Sequence, residues 1–252
     1  HDIVSIKKVI PPLNWYAVID FCAFSPEDIK ITIGNLPGNI NHYVYFSTCS
    51  VYKSSLDLPY YEDSPKLSEP LPGPAGEYAY NKLLAEIELS IQCRKTNIPY
   101  TIFRPAFVYG QFNYAPRESY FFDLILNGKS IPFPQKCLAL FQLVFVRDVA
   151  NICIRSLGNE KVYNDCFNLS CHELISYEKL INTLKIVSGI CIKVDEMDVS
   201  EVNRKNIPLP FPMEQHELYS GLKIADTLNY TYTPFLKGMQ EAFNFYKKYS
   251  SG

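Results

Sequence analysis

Residues 77–86 of the chain read Glu-Tyr-Ala-Tyr-Asn-Lys-Leu-Leu-Ala-Glu. They follow a segment rich in proline and glycine, residues 70–76, and open a run of good helix formers that continues to Ile91. On a helix, Tyr78 and Lys82 are one turn apart and share a face. A lysine ammonium beside a phenol favours the phenolate and lowers the pKa of the tyrosine from about 10, which suits general acid–base catalysis. Because the same spacing also occurs on ordinary helix surfaces, the flanking sequence must decide between the two interpretations.

The sequence before this helix has the pattern of a strand, a helix and a second strand. Residues 16–23 form a short, nearly continuous apolar run, which is typical of a parallel strand covered on both faces. Ser25 as N-cap, with proline at the first helical position, predicts a helix that runs to about Leu36. Residues 43–48 form the next buried strand, so the sheet is expected to be parallel.

The rest of the chain continues to mix strands and helices. Asp148 is expected to be the N-cap of one of these helices, and residues 106–110 are expected to form a turn. Further strands are expected at residues 100–105, 166–169 and 190–194, and further helices at residues 119–127, 177–188, 220–228 and 236–249.

Size and composition restrict the class of protein. The chain has 252 residues, enough for one large domain or two small ones. Hydrophobic residues make up 47% and charged residues 20%, which is typical of a folded globular protein. A net charge of −2 gives no electrostatic case for a nucleic-acid partner. No apolar run is long enough to span a membrane and no signal peptide is recognised, so a cytoplasmic location is the default expectation.

The eight cysteines are scattered along the chain, and none forms Cys-x-x-Cys. The nearest approach to a metal cluster is Cys166 with Cys171 and His172, and no second close pair accompanies it. Because structural zinc usually shows two tight pairs of ligands, we expect no metal site. Most of the cysteines stand in apolar runs and are interpreted as small buried residues.

Six short motifs occur in order along nearly the whole chain. They are residues 18–23 (VIDFCA), 48–52 (TCSVY), 78–82 (YAYNK), 104–110 (RPAFVYG), 146–150 (VRDVA) and 228–235 (LNYTYTPF). Taken together they resemble the extended short-chain dehydrogenase/reductase family, the NAD-dependent epimerase/dehydratase group. Any one motif is weak, and the order of all six carries the resemblance.

This resemblance implies an α/β fold. Residues 1–110 would form a partial Rossmann-like NAD(P)-binding domain, a parallel sheet flanked by helices from which the N-terminal strands are missing. Residues 111–252 would form mainly a smaller α+β substrate-binding part, with some segments returning to the Rossmann sheet.

The resemblance also implies roles for three catalytic residues. Tyr78 would be the acid/base that exchanges a proton with a substrate hydroxyl or carbonyl. Lys82 would lower the pKa of this tyrosine and bond the nicotinamide ribose, while Thr48 would hold the substrate oxygen. The residues that would bind the cofactor, NAD or NADP, are Phe21, Cys22, Ala23, Tyr78, Lys82 and Pro105. The candidate substrate-binding residues are Thr48, Phe107 and Arg147.

Three departures from the family pattern limit the resemblance. The Gly-x-x-Gly-x-x-Gly loop that cradles the pyrophosphate does not occur in the sequence. The chain is therefore a fragment, or lacks a piece of its native length, or has lost its cofactor site; we favour a longer native protein. Phe107 stands where sugar-nucleotide enzymes of the family often carry Asn. Cys49 and Ser50 replace the Asp-Glu pair of the 4,6-dehydratases, which disfavours dehydration.

The leading functional hypothesis is an NAD(P)-dependent epimerase or reductase, an isomerase or oxidoreductase acting on a small molecule. Its substrate would be a nucleotide sugar or a related hydroxyl or carbonyl compound, and no nucleic acid is expected. The first alternative is a non-catalytic binding or regulatory protein with this fold, since some relatives of the group are RNA-associated; the second is a degenerate product with neither role. The choice between NAD and NADP stays open. The resemblance is also compatible with a homodimer.

Overall fold

The computed structural model describes residue 6, residues 8–113 and residues 115–249. The chain divides into two compact units. Unit 1 comprises His1–Ala106, Ala150–Leu169 and Tyr219–Tyr230, and unit 2 comprises Phe107–Val149, Ser170–Leu218 and Thr231–Gly252. The chain therefore leaves unit 1 after Ala106 and returns to it twice.

Short strands alternate with helices along the described residues. The strands are β1 (Leu13–Trp15), β2 (Val18–Asp20), β3 (Gly38–Ile40), β4 (Tyr43–Phe46), β5 (Tyr100–Pro105), β6 (Phe107–Tyr109), β7 (Ile131–Gln135), β8 (Leu143–Phe145), β9 (Asp165–Leu169) and β10 (Val194–Asp198). The helices are α1 (Pro26–Asn35), α2 (Pro74–Thr96), α3 (Glu118–Leu126), α4 (Val146–Ser156), α5 (Tyr177–Ser188), α6 (Val199–Arg204), α7 (Leu222–Leu228) and α8 (Phe235–Tyr249). Single 3₁₀ turns lie at Cys49–Val51 and Glu160–Val162.

The main sheet of unit 1 is parallel, with strand order β2-β4-β5-β9. All four residues of the second strand in this order, Tyr43–Phe46, are buried, as expected for a strand with neighbours on both sides. These observations confirm the predicted α/β fold with a parallel sheet flanked by helices. Because the strands are parallel, their carboxyl ends lie at one edge of the sheet, where open α/β sheets bind ligands.

Helix α1 begins as its sequence predicts. The side chain of Ser25 accepts a hydrogen bond from the backbone N–H of Asp28, and the carboxylate of Asp28 accepts one from the N–H of Ser25. This capping box satisfies two donors at the start of the helix. Buried Ile29 and Ile33 then pack the helix against one face of the sheet. That packing confirms the strand–helix–strand prediction for this region.

The first predicted strand is shorter than its apolar run. Residues 16–23 were expected to be extended, but β2 ends at Asp20. The carboxylate of Asp20 accepts hydrogen bonds from the N–H groups of Cys22 and Ala23, at 2.8 and 2.9 Å. This local bonding turns the backbone out of the sheet. Aspartate often bonds nearby backbone N–H groups in this way, and a pattern of hydrophobic residues does not reveal it.

Three predictions for the remaining chain are wrong. Residues 106–110 contain strand β6 rather than only a turn, because Phe-Val-Tyr is a good strand sequence and pairs in parallel with β8. The strand expected at residues 190–194 lies instead at β10, which pairs with β7. Asp148 is not an N-cap, since its helix begins at Val146. Its carboxylate instead accepts bonds from the backbone N–H and the hydroxyl of Thr233, at 2.9 and 2.8 Å.

Unit 2 is built around an aromatic core. The rings of Phe141 and Phe211 are stacked, with centroids 4.7 Å apart, and Tyr109 lies fully buried in the same cluster. Gly238 on helix α8 allows close packing here, because a Cβ atom at this position would lie 2.0 Å from the hydroxyl of Tyr109. The core therefore depends on large rings and on one position without a side chain.

Candidate functional site

The candidate catalytic pair lies near the start of the long helix α2. This helix begins at Pro74, after Gly73 at φ 87°, and ends before Asn97 in the left-handed conformation. Tyr78 and Lys82 are one turn apart on it, and their exposures differ sharply: the tyrosine is 40% exposed and the lysine 2%. The helix thus carries a solvent-accessible tyrosine and, one turn later, a nearly inaccessible lysine.

Lys82 joins the helix to the carboxyl ends of two strands. Its Nζ donates hydrogen bonds to the carbonyl oxygen of Ala23, at 2.8 Å, and to that of Phe46, at 2.5 Å. The ammonium also lies over the rings of Tyr45 and Phe24, 4.3 and 5.2 Å from their centroids. These contacts compensate the buried charge through backbone dipoles and ring faces.

Burial lowers the pKa of Lys82 from 10.5 to about 8, and the carboxylates of Asp20 and Glu86 oppose this lowering. The group is therefore mostly protonated at neutral pH and titrates not far above it. A cation in this range, one helical turn from an accessible tyrosine, suits a tyrosine that transfers protons.

Thr48 lies at the carboxyl end of β4 and caps the 3₁₀ turn Cys49–Val51. Its hydroxyl accepts a hydrogen bond from the backbone N–H of Ser50 and donates one to the Ser50 hydroxyl, both at 3.2 Å. These bonds fix the direction of the threonine side chain at the strand end. Thr48, Tyr78 and Lys82 all belong to unit 1.

The three residues expected to line a dinucleotide follow β2 directly. Phe21 is 58% exposed and stacks on Phe46 with centroids 4.2 Å apart. Cys22 is exposed, whereas Ala23 is fully buried and its carbonyl accepts bonds from both Lys82 and the hydroxyl of Tyr45. The loop thus presents an exposed ring and an exposed thiol above a well-bonded backbone.

Three predicted residues remain: one ends β5, and two belong to unit 2. Pro105 ends β5 in unit 1, half-buried, where it is in register with Leu169 of β9. Phe107 and Arg147 belong to unit 2. Phe107 packs edge-on against Phe211, and Arg147 forms a 2.7 Å ion pair with Glu241 while its side chain stays 59% exposed.

Sequence reasoning missed a buried polar network beneath this site. Arg104 binds both carboxylate oxygens of Glu86, at 2.9 and 2.6 Å, and also donates to the hydroxyl of Tyr52 at 2.9 Å. That hydroxyl in turn donates to the side-chain oxygen of Asn168 at 2.6 Å. The position of Glu86, one helical turn after Lys82 on the same face, is the sequence feature that could have indicated a buried charge pair here.

The residues present suit one end of a nicotinamide dinucleotide. Lys82 uses two of its three N–H groups on carbonyls, which leaves one donor for a ribose hydroxyl, and Phe21 offers an exposed ring stacked on Phe46. The glycine-rich cradle for a pyrophosphate is not found in this sequence. The residues that fit the cofactor are those for its nicotinamide-ribose end.

The described residues show neither a metal-binding cluster nor a membrane-spanning helix. No group of three or more His, Cys, Asp or Glu side chains in this part of the chain is arranged to hold a metal ion. Among the same residues, no helix combines the length and the apolar character that crossing a bilayer requires.

The parallel sheet β2-β4-β5-β9, flanked by helices, places the protein in the α/β class, whose open sheets bind ligands at the carboxyl ends of their strands. More specifically, the chain belongs to the NAD dependent epimerase/dehydratase family, whose model matches residues 35–169. This match confirms the family resemblance drawn from the six motifs.

The chain is also similar to individual characterised proteins. It is 26% identical over 227 residues to the chloroplast stem-loop binding protein of 41 kDa b of Arabidopsis thaliana. The alignment covers 87% of this chain and 55% of that protein. The chain therefore spans about half the length of this curated relative.

Solved structures resemble the chain in fold. The UDP-glucuronic acid 4-epimerase of Bacillus cereus in complex with NAD matches with a TM-score of 0.68 at 18% identity, over 89% of this chain and 66% of that one. The UDP-glucose 4-epimerase of Thermotoga maritima with UDP-glucose matches with a TM-score of 0.76 at 16% identity, over 99% and 82%.

Proposed function

We propose that the protein is an NAD(P)-dependent epimerase or reductase that oxidises and reduces a secondary alcohol or the corresponding carbonyl compound. The observation that carries this proposal is the placement of Lys82: its ammonium is bonded to the loop after β2 and to the end of β4, one helical turn from the exposed side chain of Tyr78. This arrangement suits proton transfer at the edge of the sheet where ligands bind.

Each residue of the pair has a distinct task in this proposal. Tyr78, as the phenolate, takes the proton from the substrate hydroxyl in the oxidative direction and returns it in the reductive direction. Lys82 stabilises the phenolate electrostatically. Thr48 turns its hydroxyl hydrogen from the Ser50 hydroxyl to the substrate oxygen and holds that oxygen beside the phenol. NAD or NADP, when bound, supplies the hydride acceptor and donor.

The substrate class follows from two kinds of support. The family description and the sugar-nucleotide epimerases with the same fold favour a nucleotide sugar or a related polyol. Phe107 offers a ring in place of an amide donor, and this ring packs against Phe211. The proposal therefore also includes hydroxylated substrates that carry no nucleotide diphosphate.

Two measurements on the protein in its native length test this function. Calorimetric titration with NAD and NADP should show binding of at least one of them. Incubation with UDP-glucose, UDP-glucuronic acid and simple sugar alcohols should then give epimerised or oxidised product. Failure to bind either dinucleotide would exclude the enzyme and leave a binding protein.

A second candidate function has one specific observation in its favour. The curated relative of similar sequence is named for binding a stem-loop, and its similarity covers 87% of this chain. The alternative is therefore a non-catalytic protein that binds a folded RNA through this fold. A mobility-shift assay with an RNA hairpin, and with its unpaired single strand as control, separates the two: hairpin binding without dinucleotide binding favours the alternative.

A further inference from the structure

Three side chains lie along one face of α2, each four residues after the last. Tyr78 and Lys82 are the candidate catalytic pair, and Glu86 is the third. Glu86 is only 4% exposed, and a carboxylate at this depth must be compensated. The proposed reaction gives this residue no task of its own.

Arg104 compensates the charge of Glu86. It donates from Nε to one carboxylate oxygen and from Nη2 to the other, and both side chains are about 95% buried, with exposures of 4% and 5%. Its Nη1 binds the hydroxyl of Tyr52 and the carbonyl oxygen of Glu62. A bidentate pair of this kind has a fixed geometry, and removing either partner leaves a buried charge.

The pair also connects elements that hold the site. Arg104 lies on β5, Glu86 lies on the helix of the catalytic pair, and Tyr52 directly follows the 3₁₀ turn that Thr48 caps. Tyr52 is bonded onward to Asn168 on β9. The ion pair joins the helix to β5, and hydrogen bonds through Tyr52 extend this connection to the turn and to β9.

We propose that Glu86, held by Arg104, is a positioning residue for the Tyr78–Lys82 pair: it fixes the helix at the sheet and balances the charge that reaches the Lys82 ammonium. The proposal deepens the function proposed above and depends on it for its catalytic meaning. The electrostatic effect of Glu86 and Arg104 on Lys82 can be measured without any enzymatic turnover.

Several charged or titratable groups face Lys82. Asp20 lies on β2, Asp28 lies on α1, Cys22 lies in the loop between them, and Glu86 lies on the lysine's own helix. The phenols of Tyr45 and Tyr78 complete the set. Burial lowers the pKa of Lys82, and Asp20 followed by Glu86 are the strongest opposing influences.

The two partners should therefore act on Lys82 with opposite signs. Glu86→Gln removes a negative charge and leaves the Arg104 cation unpaired, so the pKa of Lys82 should fall by about one unit. Arg104→Met leaves the Glu86 carboxylate unpaired, so the pKa should rise by about one unit. The double variant should return towards the wild-type value. A merely structural role predicts something else: loosened packing hydrates the lysine and raises its pKa in both single variants.

The experiment is a pH titration of the chain labelled with ¹⁵N-lysine, followed by NMR, with Lys82→Arg to identify the resonance. Glu77→Gln, an exposed carboxylate on the same helix, is the matched control and should leave the pKa unchanged. A rise, or no change, in the pKa of Lys82 in Glu86→Gln would overturn the proposal.

Three cases are distinguished by these measurements. If Glu86→Gln does not fold, Glu86→Asp is used instead, which keeps the charge on a shorter side chain. The pKa of Lys82 should then fall in Glu86→Asp, by less than it rises in Arg104→Met. If the shifts occur but the native-length protein has no turnover, the proposed function fails while the electrostatic role stands. If turnover exists and its pH profile does not move with Glu86→Gln, the positioning role fails alone.

Discussion

The Nζ atom of Lys82 donates a 2.8 Å hydrogen bond to the carbonyl oxygen of Ala23, a residue 59 positions earlier in the chain. This bond ties the helix of the candidate catalytic pair to the loop that follows the edge strand β2. The shape of that loop depends in turn on Asp20, whose carboxylate binds the backbone of Cys22 and Ala23 and the hydroxyl of Tyr43. A carboxylate in one strand therefore sets the position of an ammonium on a distant helix.

Replacing this carboxylate should affect Lys82 directly. In Asp20→Asn, the strongest influence that opposes burial is lost, so the pKa of Lys82 should fall below about 8. The Tyr43 hydroxyl also loses a charged acceptor, which should cost about 1–3 kcal/mol of the free energy of unfolding. NMR titration and urea unfolding measure the two effects. Asp57→Asn, in an exposed loop, is the control, and equal behaviour of the two variants would contradict the assignment.

Phe21 provides a test of the cofactor side. Its ring is 58% exposed and stacks on Phe46, so truncation should cost little stability. If this ring lines a dinucleotide, Phe21→Ala in the native-length protein should weaken NAD(P) binding by about tenfold, the scale of one stacking contact. Titration calorimetry measures the affinity. Phe112→Ala, also exposed but in unit 2, should bind as the wild type does, and an unchanged affinity in Phe21→Ala would remove this residue from the site.

His42 should make the stability of the fold depend on pH. Its Nε2–H donates to the Thr101 hydroxyl, which itself donates to the carbonyl of Val162, and its Nδ1 accepts from the N–H of Gly158. Burial lowers the pKa of His42 from 6.5 to about 4. Because the unfolded chain binds the proton more readily, the contribution of His42 is complete above about pH 6.5 and declines as the pH falls towards 4.

The size of this effect is at most about 3 kcal/mol, from the shift in pKa. Urea unfolding between pH 4 and pH 7, compared between the wild type and His42→Gln, isolates it from the carboxylates. The variant should show the shallower decline, whereas His172→Gln, at an exposed position, should follow the wild type. Parallel curves for His42→Gln and the wild type would show that the ring does not titrate in this way.

The sequence predicts regular elements well where local chemistry specifies them. Helix α1 begins at the proline that follows Ser25, because the capping box is formed by Ser25 and Asp28, which are close in sequence. Helix α5 has the predicted limits, since its N-cap Ser176 and its terminal Gly189 bound an amphipathic pattern. The parallel sheet follows from apolar runs separated by helices.

The remaining features depend on contacts that are distant in sequence. The partner of Arg104 is Glu86, 18 residues earlier, and the bond exists only because a helix packs on a strand. The length of β2 was overestimated because the side chain of Asp20 competes for backbone donors. In the same way, Asp148 suits a cap in sequence, but Thr233, 85 residues away, takes its carboxylate. Residue patterns do not report which long-range partner a polar group will find.

Turnover by a pair of conservative variants decides whether Tyr78 is the proton-transferring residue. Tyr78→Phe and Tyr80→Phe each remove one hydroxyl from α2, and the second hydroxyl only bonds the backbone of Ser68 at 3.3 Å. In the native-length protein, Tyr78→Phe should lower kcat by about 10²–10⁴-fold, the usual size of a general acid–base contribution, while dinucleotide affinity stays within a few fold. Tyr80→Phe should keep full activity. Equal turnover in Tyr78→Phe and the wild type would contradict the proposed role of the Tyr78–Lys82 pair.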